Sequence, residues 1–214
     1  MRVPRTLAAL VVAGAASGVL AAQPDPNAYV SWSAKQAETV GREMYKTGRV
    51  GGFFDMRVLK TDRAFNYKLA ATWLTPDAIR ATARLAQLSG RLSDAETRDL
   101  VQRAEAAGDT VVMVEIDPRE GSGVIPNDWQ AFLQPKGRPD VAVRGTNMPQ
   151  LREVKALAGV LRRNYDYDRF WVTFPLTGPK GGRLFSPSDL DAELVVRIYE
   201  KEGHVEWLIP ASVR

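Results

Sequence analysis

Glu115 and Asp117 are the residues of this chain best spaced for acid–base chemistry. They close the apolar run 110–116 (Thr-Val-Val-Met-Val-Glu-Ile). In an extended strand, alternate side chains share a face, which puts their Cα atoms about 6.5–7 Å apart. Carboxylates near that spacing serve glycoside hydrolysis, one donating a proton and the other acting as base or nucleophile. Asp128 or Glu120 could approach from the loop that follows. A plainer account competes: a buried strand takes acids where it leaves the core.

A second cluster is Asn164-Tyr165-Asp166-Tyr167-Asp168. Asn164, Asp166 and Asp168 present oxygens at alternate positions, as calcium loops do. The run lacks the following glycine and the distal bidentate acid of an EF-hand. Tyr165 and Tyr167 offer another use, a recognition tip, because tyrosine supplies contact area at low entropic cost. Turn chemistry alone also gathers Asn and Asp at hairpin tips.

Other chemistries lack their parts. His204 is the single histidine, just after Gly203 in an expected turn, so no multi-histidine metal centre can form. Neither a Gly-x-Ser-x-Gly elbow nor a Ser-x-x-Lys pair is present. The absence of cysteine removes thiol nucleophiles, thiolate zinc sites and disulfides. Gly121-Ser122-Gly123 is followed by a proline and an expected strand rather than a helix N-terminus, so it is no phosphate loop. The basic cluster Arg152, Lys155, Arg162, Arg163 and Arg169 is diluted by Glu153, Asp166 and Asp168. It reads as a solvated face, with anionic lipid or an acidic polymer as its alternative partner.

Residues 1–22 say where such chemistry would take place. Arg2 and Arg5 precede an uncharged apolar run from Leu7 to Leu20, and Ala21-Ala22 follows. A basic start, an apolar middle and a small-residue end predict a secretory signal peptide, cleaved near Ala21 or Ala22. The run is short and Ala/Gly-rich for a spanning helix, so no integral span is expected after cleavage, a retained anchor being the alternative. The expected location is periplasmic or extracellular. Cleavage leaves 192 of the 214 residues, one domain's worth. It also removes two bases and no acid, so 29 basic against 25 acidic residues becomes 27 against 25. Despite a pI near 9.4, that balance is no footprint for nucleic acid.

The elements that must position these residues are mostly short strands. Residues 23–52 read as an irregular lead-in and a helix capped by Ser33, running to about Tyr45 or Lys46. From 53 to 214 the pattern is one domain. Strands are expected at 53–60 and 64–74, joined by a turn at 61–63. Phe65, Tyr67, Leu69, Ala71 and Trp73 alternate with polar or small residues, the mark of a sheet with one buried face. Thr75-Pro76-Asp77 and the capping box Ser93…Glu96 start two helices, a hairpin over 75–108 inserted at one end of the sheet. Further strands are expected at 110–116, 129–133 and 170–176. Over 150–161, Leu151, Val154, Leu157 and Leu161 fit a helix face while Val154, Ala156, Ala158 and Val160 fit a strand, and Gly159 tilts the reading to the strand. A closing hairpin pairs 193–199 with 204–209 through a turn at 201–203.

The expected fold is a mainly β, α+β chain: an antiparallel β-sandwich, immunoglobulin-like in its finer version, with the inserted helical hairpin and a short N-terminal helix. The expected role is a non-catalytic binding module that meets an envelope protein or an extracellular ligand. An acid-based hydrolase or lyase of an envelope polymer, and a calcium-stabilised adhesion-type domain, are the alternatives.

Overall fold

The computed structural model describes residues 25–52, 66–108, 110–118, 125–161, 168–210 and 213–214. Ser33 caps α1 (Ala34–Glu43), its hydroxyl accepting from the Gln36 amide while the Gln36 side chain accepts from the Ser33 amide. The helix stops earlier than its sequence suggests, because Tyr45–Val50 forms a strand, β1. Next come β2 (Tyr67–Trp73), α2 (Pro76–Gly90), α3 (Asp94–Glu105), β3 (Val111–Pro118) and β4 (Gln130–Pro135). Two short strands, β5 (Val143–Arg144) and β6 (Thr146–Asn147), precede β7 (Asp168–Thr173), β8 (Asp191–Ile198) and β9 (Lys201–Leu208).

These nine described strands make two antiparallel sheets, ordered β1-β2-β3-β7-β6 and β5-β4-β8-β9. The strand expected at 53–60 and its turn lie outside the described residues; within them, β2 pairs with β1 and β3. Between the sheets lies a core in which Leu69, Ala71 and Trp73 of β2 meet Val112, Val114 and Ile116 of β3. Leu133, Leu194, Val196, Ile198, Val205 and Trp207 answer from the other sheet. Trp73 stands edge-on to Trp207, with ring centroids 5.7 Å apart, a geometry worth about 0.5–1.5 kcal/mol beyond area burial.

Glycines let the chain close both sides of this core. A Cβ on Gly48 would come 2.6 Å from the His204 carbonyl oxygen, and one on Gly203 would come 2.5 Å from that of Arg49. Backbone therefore crosses backbone where β1 passes β9. The Trp207 indole fastens the corner by donating to the Met44 carbonyl at 2.7 Å. On the other side, Gly145 separates β5 from β6, and the chain steps there from one sheet to the other. A Cβ at Gly145 would meet Val172 at 2.3 Å.

The first sheet is covered on its second face as well, a departure from the alternation read in β2. Ala70 and Thr72, on that face, are only 2% and 4% exposed. The helical hairpin causes this. Its starts match the capping residues, but it lies over the sheet face rather than at one end. Ile79, Ala83, Val101 and Ala104 pack there on Val111, Met113 and Trp171. Two covered faces also explain why β3 is apolar on both sides.

Residues 150–161 form no strand. Two 3₁₀ turns, Pro149–Glu153 and Lys155–Leu157, replace it. Leu151, Ala156 and Leu157 are all buried under the helices, and the Leu157 carbonyl accepts from the Trp171 indole at 2.8 Å. Gly159 at φ +72° turns the chain in a conformation that disfavours side chains. The final hairpin also turns earlier than expected. Ile198 faces Lys201, so Tyr199 and Glu200 make the bend, with Tyr199 at φ 54°. Among the described residues, no helix is long and apolar enough to cross a membrane.

Candidate functional site

Strand register brings the sequence-selected acids to one place. Glu115 and Asp117 do share a face of β3, the one turned towards the helices. In the same rows, Ala70 of β2 and Arg169 of β7 flank Glu115, while Lys68 stands opposite Asp117. Each acid thus has a cation directly across a strand, the closest arrangement a sheet offers. Arg169 Nε lies 3.2 Å from Glu115 Oε1, and Lys68 Nζ lies 3.7 Å from Asp117 Oδ2.

Exposure separates the two acids. The Glu115 side chain is 3% exposed and that of Asp117 29%. Burial pushes the Glu115 carboxyl above the usual carboxylate range, and the Arg169 guanidinium pulls it partly back. Asp128 is not brought to them. It is exposed in the turn before β4, and its neighbour Trp129 packs 4.7 Å from the Phe170 ring on the opposite face of the sheet. Glu120 lies outside the described residues.

Of the second cluster, Asn164, Tyr165, Asp166 and Tyr167 lie outside the described residues. Asp168 begins β7 and is exposed. Among the described residues, no group of three or more His, Asp or Glu side chains could hold a metal ion. His204 sits within β9 rather than in a turn. Its Nδ1 lies 2.8 Å from Glu193 Oε1, and Gln134 Nε2 donates to the other oxygen of that carboxylate at 2.8 Å. Arg197 stacks over the Phe132 ring on the same outer face of the second sheet. That face thus joins Gln134, Glu193 and His204 in one hydrogen-bonded group and also carries Val195 and the exposed Leu208.

The helix side of the first sheet holds an open groove of about 860 Å³. Typical ligand sites measure about 300–1,000 Å³. One wall is α1, through Ala34, Glu38 and Arg42; another is α2, through Leu85, Ala86 and Leu88. Residues 158–161 and Arg169 complete it. The groove's shape depends on two glycines. A Cβ on Gly41 of α1 would lie 2.1 Å from Val160 Cγ1, and one on Gly159 would lie 3.0 Å from the Met113 methyl. Val160 is seated in the notch that Gly41 leaves, which brings the helix backbone down on the 158–161 segment.

Charge in the groove is mostly positive. Arg42, Lys155 and Arg169 face Glu38, which lies 3.8 Å from Arg42. Lys155 also borders a smaller cavity of about 420 Å³ beside α3, where Leu92, Leu100 and Val154 supply the apolar lining. Two members of the sequence-level basic cluster, Lys155 and Arg169, therefore meet at one groove. Arg152 is exposed outside it, and Arg162 and Arg163 lie outside the described residues. The groove itself was not visible in the sequence. Its one signal is Gly41, a helix-interior glycine that costs about 1 kcal/mol relative to alanine unless close packing requires it.

Comparison with known protein families, with curated proteins and with solved structures finds no match to this chain.

Proposed function

We propose that this protein is an exported, non-catalytic binding module whose ligand enters the groove between α1, α2 and residues 158–161. The observation that carries the reading is the groove: ligand-sized, open, and lined by both apolar side chains and cations. The paired state of the acids supports it. Glu115 is buried against Arg169, and Asp117, 29% exposed, is bridged to Lys68, so each carboxylate already has a cation as its partner. Export rests on the order of residues 1–22, and the partner sought is an envelope protein or an extracellular ligand. The two sheets enclosing one core are read as an antiparallel β-sandwich. Its β1-β2-β3 meander within one sheet departs from the immunoglobulin order, where the second and third strands lie in opposite sheets.

The acid-based hydrolase reading keeps one favourable observation. A carboxyl held above its usual range is the direction a general acid needs. Binding and hydrolysis separate in one experiment. A photo-crosslinking residue is placed at Ala86 in the groove or at Glu206 on the far sheet, and the protein is irradiated in its host. A discrete adduct from position 86 alone supports the module. No adduct, or equal adducts from both positions, overturns the groove. Release of soluble fragments from envelope polymer by the wild type, lost in Glu115→Gln, would instead establish the hydrolase. The N-terminus of the recovered protein, read by mass spectrometry, tests export: cleavage near Ala21–Ala22 is expected, and an intact Met1 refutes it.

A further inference from the structure

Resting on the groove reading, we infer that the ligand is a small anionic amphiphile, a carboxylate- or sulfonate-type head on an apolar body, with Arg169 and Lys155 receiving the head. Arg169 is placed for such a role by β7. On one side its Nε meets Glu115, a carboxylate 3% exposed; on the other the side chain is 32% exposed and lines the groove. A guanidinium carries five N–H donors in a rigid fork. Contact through Nε leaves donors for a second anion while Glu115 holds the fork still. Arginine is the side chain best suited to that kind of bidentate recognition.

The rest of the groove argues for an apolar body behind the head. Leu85, Ala86 and Leu88 of α2 face Ala158, Val160 and Leu161. Leu88, 45% exposed, leaves part of its aliphatic side chain open at the groove. Among the described lining residues Arg42, Lys155 and Arg169 outnumber Glu38, and they still do when Glu115 behind Arg169 is counted with it. An acidic headgroup therefore enters a complementary field, whereas a cationic ligand would meet repulsion. The volume suits one small molecule rather than a folded partner.

Two fluorescent probes of similar apolar body test the assignment with the purified protein. Anilinonaphthalene sulfonate carries an anionic head, and phenylnaphthylamine carries none. The sulfonate is expected to bind the wild type, to weaken at least about tenfold in Lys155→Glu and in Arg169→Gln, and to be blocked by Ala86→Phe, which fills the groove. Phenylnaphthylamine should be indifferent to the two charge variants and blocked by Ala86→Phe. Lys155 is exposed, so Lys155→Glu keeps the test valid should Arg169→Gln fail to fold. Sulfonate binding that is blocked by Ala86→Phe yet unchanged by the charge variants overturns the anionic ligand and leaves the groove standing. Binding unaffected by Ala86→Phe, or no binding to the wild type, overturns this assignment, and the first of these overturns the groove with it.

Discussion

Gly41→Ala tests whether Val160 seats in a notch left by the missing side chain of α1. An alanine Cβ at position 41 would lie 2.1 Å from Val160 Cγ1, 2.7 Å from Cγ2 and 3.0 Å from Cβ. All three atoms belong to one isopropyl group, so rotating it cannot clear the contact. Alanine in a helix interior is worth about 1 kcal/mol over glycine, while overpacking costs about 1–3 kcal/mol. The balance is a net loss of about 0–2 kcal/mol. For a domain of this size, each kcal/mol lowers Tm by about 2–4 °C. Val160→Ala alone removes half-buried carbon and should cost about 1 kcal/mol. Combining the two changes removes both Cγ contacts, leaves only the Cβ contact at 3.0 Å for a small shift to relieve, and keeps the helix gain, so the double variant should lie within about 1 kcal/mol of wild type. The coupling is then about 1–3 kcal/mol. Urea unfolding of the four proteins, with the m-value checked for constancy, measures it. Gly52→Ala is the control, since nothing lies within 4 Å of the added carbon there. Additivity to within about 0.5 kcal/mol, or outright stabilisation by Gly41→Ala, would refute the notch.

Gly203→Ala should destabilise by about 1–3 kcal/mol or more, because the new carbon meets the Arg49 carbonyl oxygen at 2.5 Å. Trimming the nearby Val50 to alanine should not rescue it, since the obstacle is backbone; rescue in a urea titration would show the corner is closed otherwise. Arg169→Gln should make stability more pH-dependent. Burial already holds the Glu115 carboxyl high, and losing the guanidinium raises it further. The folded chain then holds a proton that the unfolded chain releases, so stability falls as pH rises from about 4 through the folded value. The deficit relative to wild type should grow by up to about 1.4 kcal/mol per pH unit and vanish when Glu115→Gln is added; a deficit constant with pH would count against the pairing. Ser93→Ala breaks the capping box of α3 and should cost about 1 kcal/mol in thermal or urea unfolding, with no effect on probe binding in the groove.

Local chemistry made much of this protein legible in advance. Ser33, Thr75 and Ser93 announce helix starts because their hydroxyls accept from amides three residues on. Tyr67, Leu69, Ala71 and Trp73 announce a core face because strand side chains alternate. The same alternation placed Glu115 and Asp117 on one face. Where helix and strand patterns both fit, as at 150–161, local order only tilted towards a strand, and the chain forms neither an α-helix nor a strand. Burial of Leu151, Ala156 and Leu157 beneath the helices and the Trp171 indole bond to Leu157 decided it.

The residues around the site divide in the same way. Which side of β3 the acids occupy follows from a period of two and needs no partner. Which cation faces each acid depends on register between strands 40 to 60 residues apart, where Lys68 meets Asp117 and Arg169 meets Glu115. The groove is further still from the sequence. It exists because α1, α2, the 158–161 segment and β7 converge, and because Gly41 has no side chain where Val160 must sit. Short-range hydrogen bonding and alternation are properties of neighbouring residues and can be read from their order. Register, burial and shape are properties of surfaces that meet only after the chain has folded.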